Sequence, residues 1–141
     1  MSDPLYGTAL LRLASEATGA GRLTEFDTEG SAYNPACGDR ISVTLCTDAD
    51  GHITALAHEA HACVLTQASA SILGAHAIGA DDSRMRLLRN AVVAMLREGG
   101  MVASPFSDYA ALKPAAVYRN RHSCVLLPID AILQALEQRR K

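Results

Sequence analysis

Hydrophobic residues recur at intervals of three and four positions in four parts of the chain, which is the spacing of amphipathic helices. The first predicted helix runs from Leu5 to about Ala17, the second from Cys63 to about Gly79, and the third from Arg84 to Glu98. The last is predicted to begin at about Arg121 or at Pro128 and to end at Arg139. Together the four predicted helices cover somewhat less than half of the residues of the chain.

Strict alternation of apolar and polar residues predicts a β-strand from Arg40 to Thr47. The apolar side chains Ile41, Val43 and Leu45 lie on one face of this strand. The Asp48-Ala49-Asp50-Gly51 segment that follows is typical of a hairpin loop, because the glycine tolerates a positive φ. We therefore expect one sheet face to be covered by other elements.

Two further segments complete the predicted sheet. A return strand follows the hairpin from His52 to His58, and a short strand is predicted earlier, from Arg22 to Asp27. A polar turn is predicted around Glu29-Gly30-Ser31, and a connector marked by prolines runs from Met101 to Tyr118. The expected fold class is α+β: a small antiparallel three-stranded sheet with helices packed on one face, formed by residues 1–141 as a single domain.

Composition and charge exclude several classes of protein. The chain has 141 residues, of which 49% are hydrophobic, enough for one ordinary core. A net charge of −2 gives no basic surface for nucleic acid or for an anionic membrane, and no apolar run approaches the length of a membrane span. The N-terminus shows no signal peptide, so we expect a cytoplasmic protein whose four cysteines are reduced.

Three of the cysteines lie in contexts that favour metal binding. Cys37 is followed by Gly38 and Asp39, Cys63 is expected at the start of a helix, and Cys124 is expected near the start of the last helix. Three thiolates and one carboxylate suit zinc or an iron–sulfur cluster. No two cysteines form a Cys-x-x-Cys pair, so the sequence does not predict a zinc finger or a thioredoxin-like site.

The remaining candidates have simpler interpretations. Cys46 lies in the middle of a predicted strand and is expected to be a small buried hydrophobic residue. His61 and His122 each precede a cysteine by two positions, and we expect both to lie at the surface or around the ligands. An aspartate such as Asp39, taken alone, is more often a turn or capping residue than a metal ligand.

Several motifs in the same order resemble the U-type iron–sulfur cluster assembly scaffolds, the family of IscU, the N-terminal domain of NifU, and SufU. The resemblance covers nearly the whole chain and begins at Leu5-Tyr6. Its most specific parts are Asn34-Pro35-Ala36-Cys37-Gly38-Asp39, then Ala62-Cys63 leading into Gln67-Ala68-Ser69-Ala70-Ser71, and Cys124-Val125-Leu126-Leu127 before the final helix.

This resemblance implies a SufE/IscU-like fold and a ligand set of Cys37, Asp39, Cys63 and Cys124 for a transient [2Fe–2S] cluster or for zinc. The implied partners are a cysteine desulfurase, which supplies sulfur as a persulfide, and proteins that accept the finished cluster. An aspartate oxygen binds cluster iron less well than a thiolate, so Asp39 is expected to keep the cluster labile. The first sulfur acceptor stays open between Cys37 and Cys124.

Details of spacing are closer to the SufU branch of this family. The stretch between Cys63 and Cys124 is long for the Isc branch, and Arg121 precedes Cys124 by three positions as in SufU proteins. The Isc branch has a histidine directly before its third cysteine, whereas Ser123 stands there in this chain and His122 is displaced by one. The Leu-Pro-Pro-Val-Lys segment read by an Hsp70-type chaperone is absent before Cys124, so we do not expect that chaperone as a partner.

Three functions are consistent with these residues. The first is a cluster scaffold, which binds and transfers a cluster without turning over a substrate of its own. The second is a zinc-dependent sulfurtransferase that accepts persulfide sulfur from a cysteine desulfurase, and the SufU-like spacing favours it. The third is a cysteine hydrolase using Cys37 or Cys124 with a histidine base, for which the sequence has no nucleophile-elbow motif.

Overall fold

A computed structural model describes residues 7–36 and 38–139 of the chain. Within these residues, helices pack against one small sheet of three antiparallel strands in the order β1-β2-β3. The elements in chain order are α1 (Thr8–Glu16), β1 (Thr28–Asn34), β2 (Asp39–Thr47), β3 (Ile53–His61), α2 (Val64–His76), α3 (Asp82–Glu98), 3₁₀ segments at Ser107–Val117 and Arg119–Arg121, and α4 (His122–Arg139).

The helices cover one face of the sheet, as the alternating pattern predicts. Ile41, Val43 and Leu45 of β2 are buried on this face. Helix α4 packs across β1 and β2, while α2 packs against both α4 and β3. The predicted α+β architecture is therefore confirmed.

The position of the first strand differs from the prediction. Residues 22–27 form a loop, and β1 begins at Thr28, so the predicted turn at Glu29-Gly30-Ser31 is wrong. Gly30 faces α4 so closely that an added Cβ would lie 2.5 Å from both the Ala131 carbonyl oxygen and the Ala135 nitrogen. The glycine thus permits a close approach of strand and helix, a role that a local pattern does not distinguish from a turn.

The last helix is continuous across a proline. It begins at His122, in agreement with the earlier of the two predicted starts, and contains Pro128 in its interior. A proline has no N–H to donate to the carbonyl four residues earlier, which here is that of Cys124. The helix therefore requires another donor at this point.

Two hydroxyl groups of α2 supply donors to the carbonyls that precede the proline. The Thr66 hydroxyl donates to the Cys124 carbonyl at 2.9 Å, and the Ser69 hydroxyl donates to the Val125 carbonyl at 2.7 Å. These bonds satisfy buried backbone acceptors and also fix the axial position of α2 against α4. The carbonyls of α4 near Pro128 and the hydroxyl groups of α2 thus link the two helices through hydrogen bonds.

The other helices follow the sequence pattern with small shifts at their ends. Helix α3 begins at Asp82, two residues before the predicted start. It is capped by Asp81, whose carboxylate accepts a hydrogen bond from the Arg84 N–H at 2.9 Å. The predicted connector from Met101 to Tyr118 contains the 3₁₀ segment, which buries Tyr109. None of the helices in residues 7–36 and 38–139 is both long and apolar enough to cross a membrane.

Replacing Gly30 by alanine tests the contact between β1 and α4. We expect the free energy of unfolding to fall by about 1–3 kcal/mol, because the new methyl group forces the helix backbone away. Urea denaturation of the metal-free protein measures this change. The matched control is Gly100→Ala, whose added Cβ would lie no closer than 3.5 Å to any non-neighbouring atom and should change stability by less than about 0.5 kcal/mol. Equal stability of both variants would contradict the close packing.

Candidate functional site

Three of the four predicted ligands come together at one end of the sheet. One carboxylate oxygen of Asp39 and the sulfur atoms of Cys63 and Cys124 all lie within 4.8 Å of one another. Ligand atoms on a single tetrahedral zinc ion stand roughly 3.3–3.8 Å apart, so small side-chain adjustments would accommodate one ion. Cys37, the fourth predicted ligand, lies outside the described residues, and its role stays a prediction.

A structured turn between β1 and β2 positions Asp39. The Asn34 side-chain oxygen accepts a hydrogen bond from the Ala36 N–H at 3.1 Å, and the Asn34 carbonyl accepts one from the Gly38 N–H at 2.8 Å. Gly38 has a φ of +78°, a conformation that glycine adopts without strain. The Asn34 amide also donates to the Ser123 hydroxyl at 2.7 Å, which links the turn to the start of α4.

Cys63 connects β3 to α2 and is the N-cap residue of the helix. Its side chain is half-buried. A hydrogen bond from the Cys124 side chain lowers the pKa of the Cys63 thiol to about 6, and bonds from Thr66 add to this effect. Together they outweigh two opposing effects, which are burial and the hydrogen bond between the thiol and the Asp39 carboxylate. The thiolate form is therefore favoured at neutral pH, which is the form that binds metals and attacks sulfur.

Asp39 and Cys124 form the enclosed side of the cluster. Their exposed fractions are 6% and 0%. Burial raises the pKa of Asp39, but hydrogen bonds from Cys63, Thr66 and Cys124 outweigh it, and the net pKa is below the ordinary value. The carboxylate is thus ionised at neutral pH and available as a ligand.

Thr66 lies at the centre of this group, and it was not among the residues predicted from the sequence. Its fully buried hydroxyl oxygen is 3.1 Å from Asp39 Oδ2, 2.9 Å from the Cys124 carbonyl oxygen and 3.7 Å from Cys63 Sγ. A hydroxyl has one proton, so it donates to one of the two oxygens at a time and can accept from the thiol. The sequence feature that could have identified Thr66 is its spacing: its hydroxyl lies three positions after Cys63, on the same face of the helix.

The other candidates lie outside the cluster. Cys46 is half-buried rather than fully buried, and its thiol donates to the Glu25 carbonyl at 3.4 Å. His122 donates from Nε2 to the Ala116 carbonyl at 2.9 Å, and His61 is exposed at the end of β3. Neither is part of the group formed by Asp39, Cys63 and Cys124 among the described residues. No histidine accompanies Cys124 in that group, so the hydrolase hypothesis gains no support.

A second group of potential ligands, Asp48, Asp50 and His52, occupies the hairpin between β2 and β3. Both aspartates are exposed. One oxygen of Asp48 accepts hydrogen bonds from the backbone N–H groups of Asp50 and His52, each at 2.9 Å. The hydrogen bonds of the turn therefore account for the proximity of these three side chains.

The chemistry of the main cluster follows from its donors. Two sulfur atoms and a carboxylate oxygen favour zinc and iron over magnesium or calcium. The enclosed side excludes water from Asp39 and Cys124, while the partial exposure of Cys63 leaves one approach from solvent. The site is thus suited to a metal-bound species that must exchange with partners.

Comparison with known proteins identifies the family of the chain. The model of the family described as NifU-like N terminal domain matches residues 5–125, and the chain belongs to this family. The crystal structure of a nitrogen-fixing NifU-like protein (N-terminal) from Brucella abortus has a TM-score of 0.90 at 33% sequence identity, with 98% of this chain and 96% of that chain covered. A search of curated proteins finds no significant match.

A second similar structure is more distant in sequence. It is described as an iron–sulfur cluster assembly scaffold protein for the SUF system from thermophilic Fervidobacterium islandicum AW-1. It is 21% identical to this chain, with a TM-score of 0.80 and coverage of 96% of this chain and 99% of that chain. At this identity the likeness establishes the shared fold.

Replacing Thr66 by valine tests the central hydroxyl. Valine keeps the shape of threonine but removes the hydroxyl donor of the Cys124 carbonyl and one of the hydrogen bonds to Asp39, so we expect the free energy of unfolding to fall by about 1–3 kcal/mol. Urea denaturation with a chelator present measures the effect in metal-free protein. Thr66→Ser is the matched control, because it keeps the hydroxyl and should be the more stable of the two variants. A valine variant as stable as the parent would show that the hydroxyl does not hold the site.

Proposed function

We propose that this protein is a scaffold on which a labile [2Fe–2S] cluster is assembled from iron and sulfur supplied by a cysteine desulfurase, and from which it passes to acceptor proteins. The observation that carries the proposal is the convergence of Asp39, Cys63 and Cys124 from three separate elements. Membership in the NifU-like family and the scaffold description of the Fervidobacterium protein support it. The proposed ligands are Cys37, Asp39, Cys63 and Cys124.

A ligand set of thiolates and one carboxylate suits the temporary binding of a cluster. Thiolates are the usual ligands of iron–sulfur clusters, and a carboxylate oxygen is a weaker ligand for cluster iron. Asp39 therefore provides the position at which the cluster opens during transfer. The buried environment around Cys124 protects the rest of the cluster from solvent until then.

Sulfur acceptance requires a thiolate that a donor protein can reach. The thiolate attacks the terminal sulfur of the donor persulfide; a new S–S bond forms on the scaffold, the donor S–S bond breaks, and the donor cysteine leaves as a thiolate. Cys124 was predicted as one candidate acceptor, but its side chain is fully buried, whereas Cys63 is half-buried. Exposure thus favours Cys63 over Cys124, with Cys37 retained as a predicted candidate.

A zinc-dependent sulfurtransferase is the second candidate function. The described donors lie close enough to one another for a single ion, and three thiolates with one carboxylate would complete a tetrahedral zinc site. Zinc would hold the cysteines as thiolates, and release of one of them would free it to accept persulfide sulfur. The two functions share their ligands and differ in the metal that occupies them.

Metal and acid-labile sulfide analysis of protein purified without oxygen separates the two functions. For a scaffold we expect iron and sulfide in about equal amounts, as in a [2Fe–2S] cluster, and their loss in Cys63→Ser. Cys46→Ser is the matched control and should retain both, because Cys46 lies outside the site. About one zinc per chain without sulfide would replace the scaffold proposal by the sulfurtransferase. Neither metal in any preparation would contradict both.

Replacing Asp39 by alanine tests its role in cluster release. We expect a cluster that persists several-fold longer in the presence of an apo-acceptor, because the weakest ligand position has been removed. The cluster is assembled with dithiothreitol as the reductant. Its lifetime is then measured from the decay of the visible absorbance of the scaffold during transfer. Asp50→Ala, in the hairpin at the other end of β2, is the control and should leave the lifetime unchanged. An Asp39→Ala protein that never assembles a cluster would show that the carboxylate is needed for formation instead.

A further inference from the structure

A cleft rich in positive charge opens beside the ligand site. It lies between α3, the 3₁₀ segments and the start of α4, and has a volume of about 960 Å³. Three arginines, Arg89, Arg97 and Arg119, line it together with His122. We call this feature the cationic cleft.

The charges of the cationic cleft are only partly balanced. Arg89 pairs with Asp130 of α4 at 2.6 Å. Arg97 and Arg119 are exposed, and no carboxylate in the described part of the chain lies within 4.0 Å of either guanidinium group. No acidic residue is among the described residues that line the cleft. A chain with a net charge of −2 thus concentrates positive charge at this place.

The wall of the cleft between these charges is apolar. Val93 and Leu96 of α3, Ala116 of the 3₁₀ segment and Leu126 of α4 contribute to it. Leu96 and Leu126 are nearly buried, while Val93 and Ala116 are partly exposed. A ligand that fits the cleft therefore carries negative groups spaced by apolar ones.

One end of the cleft is connected to the turn that carries Asp39. Ala36 and Ser123 line this end, and Ser123 directly precedes Cys124 in the sequence. Both residues belong to the hydrogen-bonded junction around Asn34, which accepts from the Ala36 N–H and donates to the Ser123 hydroxyl. A protein that occupies the cleft therefore contacts the turn between β1 and β2 and the start of α4.

We propose that the cationic cleft docks an acidic segment, with apolar side chains between its carboxylates, of the protein that delivers sulfur to the site. This inference rests on the proposed function for the identity of the partner. A protein segment fits better than a small anion because Arg97 and Arg119 are exposed, and a single ion pair at an exposed position contributes little to affinity. Several such pairs together with the apolar wall give useful affinity, and the positive charge accelerates encounter.

A synthetic peptide of about twelve residues that alternates glutamate and leucine, labelled with fluorescein, provides the probe for fluorescence anisotropy. We expect binding to the parent protein that weakens as salt is added, and about tenfold weaker binding for both Arg97→Glu and Arg119→Glu. Arg84→Glu is the matched control, since it makes the same change of charge at an exposed position of α3 outside the cleft. It should bind within about twofold of the parent. Circular dichroism confirms that each variant is folded.

Three results would overturn the docking proposal: no binding by the parent, an equal loss in Arg84→Glu, or complete competition by citrate at a matched carboxylate concentration. The last result would identify a site for small anions instead. Iron and sulfide content, measured on the same proteins, separates this test from that of the scaffold function. Cleft variants that lose peptide binding but keep iron and sulfide support both proposals. If the peptide binds as expected but no protein contains iron and sulfide, the docking proposal stands and the scaffold proposal is contradicted.

Discussion

The structure depends on one buried hydroxyl group that satisfies a carbonyl left open by a proline. Pro128 cannot donate to the Cys124 carbonyl within α4, and the Thr66 hydroxyl of α2 does so from a distance of 2.9 Å. The same oxygen reaches Asp39 at the start of β2. Because an unsatisfied buried acceptor costs about 1–3 kcal/mol, this contact holds two helices and a strand at the same point. The proposed ligands are positioned by that junction.

For the proposed function, the arrangement combines retention of a metal species with its release. Asp39 and Cys124 are enclosed by the packing of β2, α2 and α4, whereas Cys63 at the head of α2 remains partly exposed. The ligands are thus held by rigid elements on one side and accessible to a partner on the other. The cationic cleft lies beside the start of α4, the helix that carries Cys124, and Ser123 lines it.

Particular residues show where a local pattern is sufficient. The alternation of Ile41, Val43 and Leu45 predicts β2 and its buried face correctly, because side chains of a strand point to opposite faces in turn. Gly30 is misleading, since a glycine that permits close helix packing and a glycine in a turn have the same local signature. Thr66 is missed because its role depends on a carbonyl 58 residues later in the chain.

The donor types, the motif around Asn34 and Gly38, the helices and the family resemblance can be predicted from the sequence, because each depends on residue identity and on contacts between near neighbours. The tertiary structure is needed to see that Asp39, Cys63 and Cys124 come together, and that arginines from α3 and from the 3₁₀ region line one cleft. These features depend on packing between distant segments. Such packing depends on the complementary shapes of the packed surfaces and on buried hydrogen bonds between them, and neither can be read from the order of polar and apolar residues.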